Sequence, residues 1–139
     1  GQGKYTYANG NSYEGEWIAS VPNGVGVMIT NGVKYEGVFV QGILEGEGVS
    51  TNKNGDTYKG YFVGGKCNDE KAVYTFKDGS KYEGPFVNDL FNGKGKFTYA
   101  DGDIVQGTFV DGVLQGTAIY YDKSTGISRY VTYKNGKPA

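Results

Sequence analysis

Histidine is absent from the 139 residues of this sequence, and cysteine occurs once, as Cys67. A histidine-based catalytic triad, a typical zinc site and an intrachain disulfide therefore cannot be built from this chain alone. We expect it to have no catalytic residue, no metal site and no cofactor. A single cysteine is typical of a reducing compartment, so we expect the protein in the cytoplasm.

Long hydrophobic runs and a strong net charge are missing as well. No apolar segment approaches the roughly 20 residues of a membrane-spanning helix, and no signal peptide is visible. The net charge is −1 with an isoelectric point near 5.4, which argues against the basic field of a nucleic-acid-binding protein. Hydrophobic residues make up only 37% of the chain, too few for a thick aliphatic core.

Glycine (25 residues) and aromatic residues (15%) are abundant and follow a fixed pattern. A glycine is followed by tyrosine three residues later, glycine at five and an aromatic residue at seven, as in Gly79, Tyr82, Gly84 and Phe86. The pattern returns every 22 to 24 residues, which is typical of repeat proteins. Its tyrosine position is occupied in five units by Tyr13, Tyr35, Tyr58, Tyr82 and Val105.

Each unit predicts two short β-strands. In the first, alternation places tyrosine, glycine and the aromatic residue on one face. A loop of about six residues leads to Gly-x-Gly and a second strand, which ends in an Asn-Gly or Asp-Gly pair such as Asn31-Gly32. These pairs favour two-residue type I′ hairpin turns, and the frequent glycines disfavour helix. The sequence predicts an all-β protein, an elongated, twisted antiparallel meander of hairpins that forms one domain over residues 1–139.

The last aromatic residue of each unit predicts a structural ladder of rings on one face of the sheet. Its members are Trp17, Phe39, Phe62, Phe86 and Phe109. Burial of each ring contributes about 1.5–3 kcal/mol. The tyrosine row of Tyr13, Tyr35, Tyr58 and Tyr82 leaves two possibilities open, because a tyrosine can pack in the core or offer a ring and a hydroxyl to a partner.

Two segments depart from the pattern. Asp69, Glu70 and Lys71 stand where the third unit should have Gly-x-Gly, and the unit after Gly126 loses its tyrosine and second glycine. We interpret the latter as a degenerate C-terminal cap, which a solenoid requires. The chain opens at Gly1 in the middle of a unit, so we expect it to be a piece of a longer protein.

These units resemble the MORN repeat (membrane occupation and recognition nexus). Tyr35, Gly37, Phe39, the Gly46/Gly48 pair and Gly55 follow its pattern position by position. The resemblance implies a docking or assembly module, found in cytoskeletal and ciliary scaffolds and in junctional proteins. It also implies an alternative, an accessory region of a larger enzyme such as a phosphoinositide kinase or a SET-domain lysine methyltransferase.

We therefore expect a non-catalytic scaffold module that binds a partner peptide, a helix or another copy of itself on one face of the sheet. The candidate partner-binding residues are Tyr13, Tyr35, Tyr58, Tyr82, Leu90 and Phe91. A secreted carbohydrate-binding repeat is disfavoured because the chain has only one tryptophan.

The charges follow a gradient along the chain. Residues 1–52 carry two lysines against five glutamates, whereas residues 53–96 carry eight lysines against six acids. Lys59, Lys66 and Lys71 in the second segment are the candidates for lipid head groups. Because acidic residues are interspersed among them, we expect weak or no membrane binding.

Overall fold

The computed structural model describes all residues, 1–139, as fifteen β-strands without a helix. The strands are β1 (Gln2–Thr6), β2 (Ser12–Ile18), β3 (Val21–Thr30), β4 (Val33–Val40), β5 (Ile43–Thr51), β6 (Thr57–Val63), β7 (Lys66–Cys67), β8 (Asp69–Thr75), β9 (Lys81–Val87), β10 (Leu90–Phe91), β11 (Gly93–Thr98), β12 (Ile104–Val110), β13 (Val113–Asp122), β14 (Ile127–Lys134) and β15 (Lys137–Pro138).

All strands belong to one open sheet in which neighbours in sequence are antiparallel neighbours in space. The short strands β7 and β10 pair with β6 and β9 beside the main path. The accessible surface is 8321 Å², whereas a compact monomer of this mass would expose about 7,000 Å². The predicted all-β antiparallel meander is confirmed, and its extra surface reflects an open, extended arrangement.

The connection inside each unit is a two-residue turn, so the expected loop of about six residues is wrong. Val40 and Ile43 pair directly across Gln41 and Gly42, whose φ angles are 49° and 83°. Positive φ at both central residues matches a type I′ turn, whose twist suits a hairpin. The second strand begins at once, and residues expected in a loop pair with the ladder instead. These pairs are Trp17–Pro22, Phe39–Leu44, Phe62–Cys67, Phe86–Phe91 and Phe109–Leu114.

The Asn-Gly and Asp-Gly turns join the strands at the opposite ends from the two-residue turns. Only one of these five turns has two central residues with positive φ. Asn31 and Gly32 have φ angles of 51° and 81°, as type I′ requires. In the other four turns the closing pair is separated by three residues, as between Tyr7 and Asn11, and only the glycine has a positive φ. This is the hairpin with a type I turn and a glycine bulge.

The irregular third unit keeps the fold by inserting one residue. Asp69 takes the place of the first glycine of Gly-x-Gly, because it pairs with Phe86 in the way that Gly24 of unit one pairs with Phe39. The place of the second glycine is taken by Ala72, which lies opposite Gly84. The strand therefore holds one extra residue between these positions, with a β-bulge. Ala72 is 1% exposed, so this position requires a small side chain, and the inserted residue accounts for the longest spacing between tyrosines.

Side chains connect each hairpin tip to the next. In each unit, the residue that follows the one paired with the ladder ring accepts a hydrogen bond through its side chain. The donor is the backbone N–H of the first residue of the two-residue turn in the following unit. The five acceptors are Asn23, Glu45, Asn68, Asn92 and Gln115, at 2.8–3.1 Å from their donors. A backbone hydrogen bond runs beside each of them, such as Gly42 N to Pro22 O at 2.8 Å. The hairpin tips are therefore linked in a continuous row along one end of the strands, which the sequence analysis did not predict.

Candidate partner-binding face

The apolar core lies on one face of the sheet, which we call the ring face. The structure places Phe39, Phe62, Phe86 and Phe109 of the ladder here, each at most 5% exposed. Trp17, at the first unit, is only partly buried and donates its indole N–H to Gly3 O at 2.9 Å. The ladder rings therefore form most of the core, and they offer little surface to a partner.

Three members of the tyrosine row are core residues as well. Tyr13, Tyr58 and Tyr82 are at most 1% exposed. Each hydroxyl donates to the carbonyl oxygen three residues later, at 2.8–3.0 Å. The rings have no surface to offer a partner, and we assign these three residues to packing instead of partner contact.

Glycine pairs make room for these tyrosines. A side-chain carbon on Gly95 would lie 2.5 Å from Cε2 of Tyr82, and the paired Gly84 has a φ of 153°. Tyr82 thus lies across its own strand and the next one. Burial raises the pKa of its hydroxyl to about 12, because the buried site disfavours the charged phenolate.

Units two and five fill the same space differently. Tyr35 is only partly buried, its hydroxyl has no hydrogen-bond partner in the chain, and the methyl groups of Leu44 lie at the glycine pair instead. Leu114 takes this place in unit five, where Val105 replaces tyrosine. Each of these units has a groove beside it, of ≈ 210 Å³ next to Tyr35 and ≈ 310 Å³ next to Val105. Of the four predicted tyrosines, only Tyr35 keeps surface for a partner.

A row of partly exposed aromatic residues on the ring face comes from the second strands of units three to five and the turns that follow them. We call it the ring band. It consists of Tyr74, Phe76, Phe91, Phe97, Tyr99 and Tyr120, which are partly buried or, for Tyr99, 37% exposed. Neighbouring centroids lie 4.8 Å apart for Tyr74–Phe76, 5.6 Å for Phe76–Phe97, 5.0 Å for Phe97–Tyr99 and 6.0 Å for Tyr99–Tyr120.

Polar contacts hold the two ends of the ring band. Tyr74 donates to Asp56 at 2.9 Å, and burial, together with this hydrogen bond, raises the pKa of Tyr74 to about 12. Tyr120 donates to Asp103 at 2.6 Å, and Arg129 lies 5.4 Å above its ring. Tyr99, between them, has no hydrogen-bond partner for its hydroxyl within the chain. The band is thus a largely apolar surface with one free hydroxyl, that of Tyr99, next to its Tyr120 end.

Except for Phe91, the sequence analysis did not identify the members of the ring band. The signal was present, because Tyr74/Phe76 and Phe97/Tyr99 are spaced by two residues at the ends of β8 and β11, and residues with this spacing in extended chain share a face. Leu90 and Phe91 were predicted as one site, but they lie on opposite faces. Phe91 pairs with Phe86 on the ring face, and Leu90, 44% exposed, pairs with Val87 on the other face.

The lysines considered for lipid binding do not share one location. Lys59 lies in the middle of β6, Lys66 borders a hairpin tip and Lys71 lies in the bulge of β8. The fold contains no helix that is long and apolar enough to cross a membrane.

The chain matches the model of a known protein family. The family model described as MORN repeat matches residues 1–12, 13–32, 35–57, 82–104 and 106–125, which together are well over half of the chain. The two longer gaps, 58–81 and 126–139, contain the inserted residue of unit three and the C-terminal unit that lacks the pattern. MORN repeats are non-catalytic modules for interaction with proteins or membranes.

Proposed function

Because this chain belongs to the MORN-repeat family, we propose that it is a non-catalytic interaction module whose ring band holds an extended segment of a partner protein. The observation that carries this proposal is the ring band itself. Exposed, contiguous aromatic surface marks interaction sites on soluble proteins, and aromatic residues are enriched at protein interfaces.

The ring band suits a binding site because its rings are already fixed. Phe97 contacts Phe76 and Tyr99, and Phe91 lies 4.0 Å from the buried ring of Tyr82 in a parallel stack. Side chains that are ordered before binding lose less conformational entropy on association. The neighbouring groove of ≈ 310 Å³, lined by Phe91, Phe97 and Tyr99 among others, has room for an apolar side chain of the partner.

The chemistry of the band defines the partner. Equivalent second strands lie two strand spacings apart, about 10 Å, so a partner in extended conformation would set apolar or aromatic side chains between successive units. The free hydroxyl of Tyr99 and the guanidinium of Arg129 would hydrogen-bond to the backbone or to a polar side chain of that segment. A globular surface without protruding apolar side chains would fit less well.

The test is selection of random dodecapeptides by phage display on the chain, followed by affinity measurement of the enriched peptides. We expect apolar and aromatic residues to be enriched. Replacement of Phe97 and Tyr99 by serine should weaken binding by at least about tenfold, or 1.4 kcal/mol.

Tyr61→Ser is the matched control, because Tyr61 is 49% exposed on the opposite face. It should leave peptide affinity unchanged, and circular dichroism should show that both variants keep the sheet. The proposal is wrong if the enriched peptides bind the Phe97/Tyr99 variant as tightly as the wild type, or if Tyr61→Ser removes binding.

A further inference from the structure

The face opposite the rings, which we call the back face, carries an aliphatic stripe along the hairpin tips. In each of units one to five, exposed aliphatic residues flank the two-residue turn. The stripe consists of Ile18, Val21, Val40, Ile43, Val63, Val87, Leu90, Val110 and Val113, which are 36–66% exposed. The hydrogen bonds between successive tips make it continuous. A contiguous apolar surface of this length on a soluble protein marks an interaction site.

The back face is also divided by charge. Among the charged residues of this face, strands β2 to β5 carry mainly acids and strands β6 to β11 carry mainly lysines. The acidic half contains Glu14, Glu16, Glu36, Glu45 and Glu47 with Lys34, and the basic half contains Lys59, Lys66, Lys71, Lys81, Lys94 and Lys96 with Glu70 and Glu83.

Most of these charges form no ion pair within the chain, but Glu14 lies across from Lys4 of β1 and Lys96 lies across from Glu83. The two ion pairs are Lys34–Glu36 at 3.3 Å and Lys81–Glu83 at 3.2 Å. Each pair cancels one lysine against one glutamate, which leaves four glutamates in the acidic half and five lysines with one glutamate in the basic half. What remains is an acidic first half and a basic second half on one face.

We propose that two copies of the chain pack back face to back face in antiparallel order. A two-fold axis about 15° from the strand direction, between β5 and β6, places the stripes of both copies against each other. The same axis reverses the strand order, so that Glu14 and Glu16 of one copy face Lys94 and Lys96 of the other. An isologous interface uses one self-complementary patch on both subunits, and this face has that property.

The area is sufficient for a dimer. The axis superposes ten strands, which at about 4.8 Å per strand and about 20 Å of strand length gives roughly 950 Å² per copy. Stable interfaces bury about 800 Å² per partner. Sheets of the same twist stack face to face with their strands about 30° apart, so the twist of the sheet is compatible with this packing.

Charge reversal provides the most specific test. Analytical ultracentrifugation measures the average mass of the particles as a function of protein concentration. Wild type should reach twice the 15.0 kDa of one chain at about 100 µM. Lys94→Glu/Lys96→Glu and Glu14→Lys/Glu16→Lys should each raise the dimer dissociation constant at least tenfold, because like charges then meet twice. A mixture of the two variants should recover the dimer, because both contacts again join opposite charges.

A stripe variant separates the two contributions. Val40→Asp should also raise the dissociation constant at least tenfold, whereas Ile127→Asp, at a residue 62% exposed outside the ten superposed strands, should not change it. Circular dichroism checks that all variants fold. A monomeric wild type at about 100 µM, or a variant mixture that stays monomeric, overturns the proposal. So does tight binding of phosphatidylcholine vesicles that Val40→Asp abolishes, which would assign the stripe to a membrane.

Discussion

Replacement of Phe62 by alanine should lower the free energy of unfolding by about 3–5 kcal/mol, the usual cost of truncating a buried aromatic residue. Phe62 is 1% exposed and lies in edge-to-face contact with Tyr58 at 5.1 Å and with Tyr35 at 6.4 Å. Phe62 therefore contacts two consecutive units, and the cavity left by its replacement should destabilise both of them. Because each repeat contacts only its neighbours, the destabilisation should be concentrated in the units next to Phe62.

Urea denaturation followed by circular dichroism measures this loss. Tyr61→Ala is a control from the adjacent position, since Tyr61 is 49% exposed on the back face and should cost about 0.5 kcal/mol at most. Equal losses for the two variants would contradict the assignment of the ladder to the core.

Replacement of Gly95 by valine should cost about 3 kcal/mol, the upper part of the range for overpacking. The new side chain would collide with the Tyr82 ring, which cannot move because Phe86, Phe91 and Phe109 surround it at 4.0–5.5 Å. Gly95 has no positive φ, so the effect is steric and not conformational.

Gly3→Val provides the comparison, because a side-chain carbon there would meet only Trp17, at 3.5 Å. We expect a clear fall of the melting temperature for Gly95→Val and little change for Gly3→Val. If Gly95→Val melts like the wild type, Tyr82 does not lie across the glycine pair.

The sequence was sufficient to predict the strands and their pairing, because period and alternation depend on local residues. It did not reveal how the space above each glycine pair is filled. The pattern around Tyr35 is the same as around Tyr58, yet Leu44 occupies the space in one unit and tyrosine in the other. That choice depends on the residue after the turn, which belongs to another strand.

The sequence pattern also did not predict the lengths of the turns. The two-residue turn of Ala19 and Ser20, with φ angles of 50° and 66°, contains no glycine, which is the usual sequence signal for a positive φ. It forms because the strands on both sides pair in the register that buries Trp17 against Pro22. Tertiary pairing thus overrides the local preference of these residues for negative φ.

The two faces of the sheet have different proposed roles that do not exclude each other. In the proposed dimer the back faces meet, and the ring bands point outward in opposite directions. One dimer would then hold two partner segments, and two linked sites raise the avidity for a multivalent partner. This arrangement is consistent with the proposed role as an interaction module.

Hydroxyl-radical footprinting with mass spectrometry tests the central claim most directly, namely that the tyrosines of the repeat pattern are core and the ring band is the open surface. At about 1 µM, well below the concentration at which the proposed dimer should form, we predict fast oxidation of Tyr61 and Tyr130, slower oxidation of Tyr99, and none of Tyr13, Tyr58 and Tyr82 in the folded chain, following exposed fractions of 49%, 78%, 37% and at most 1%. A bound dodecapeptide should protect Tyr99 but not Tyr61. Oxidation of Tyr13, Tyr58 and Tyr82 at the rate of Tyr61 would contradict the account.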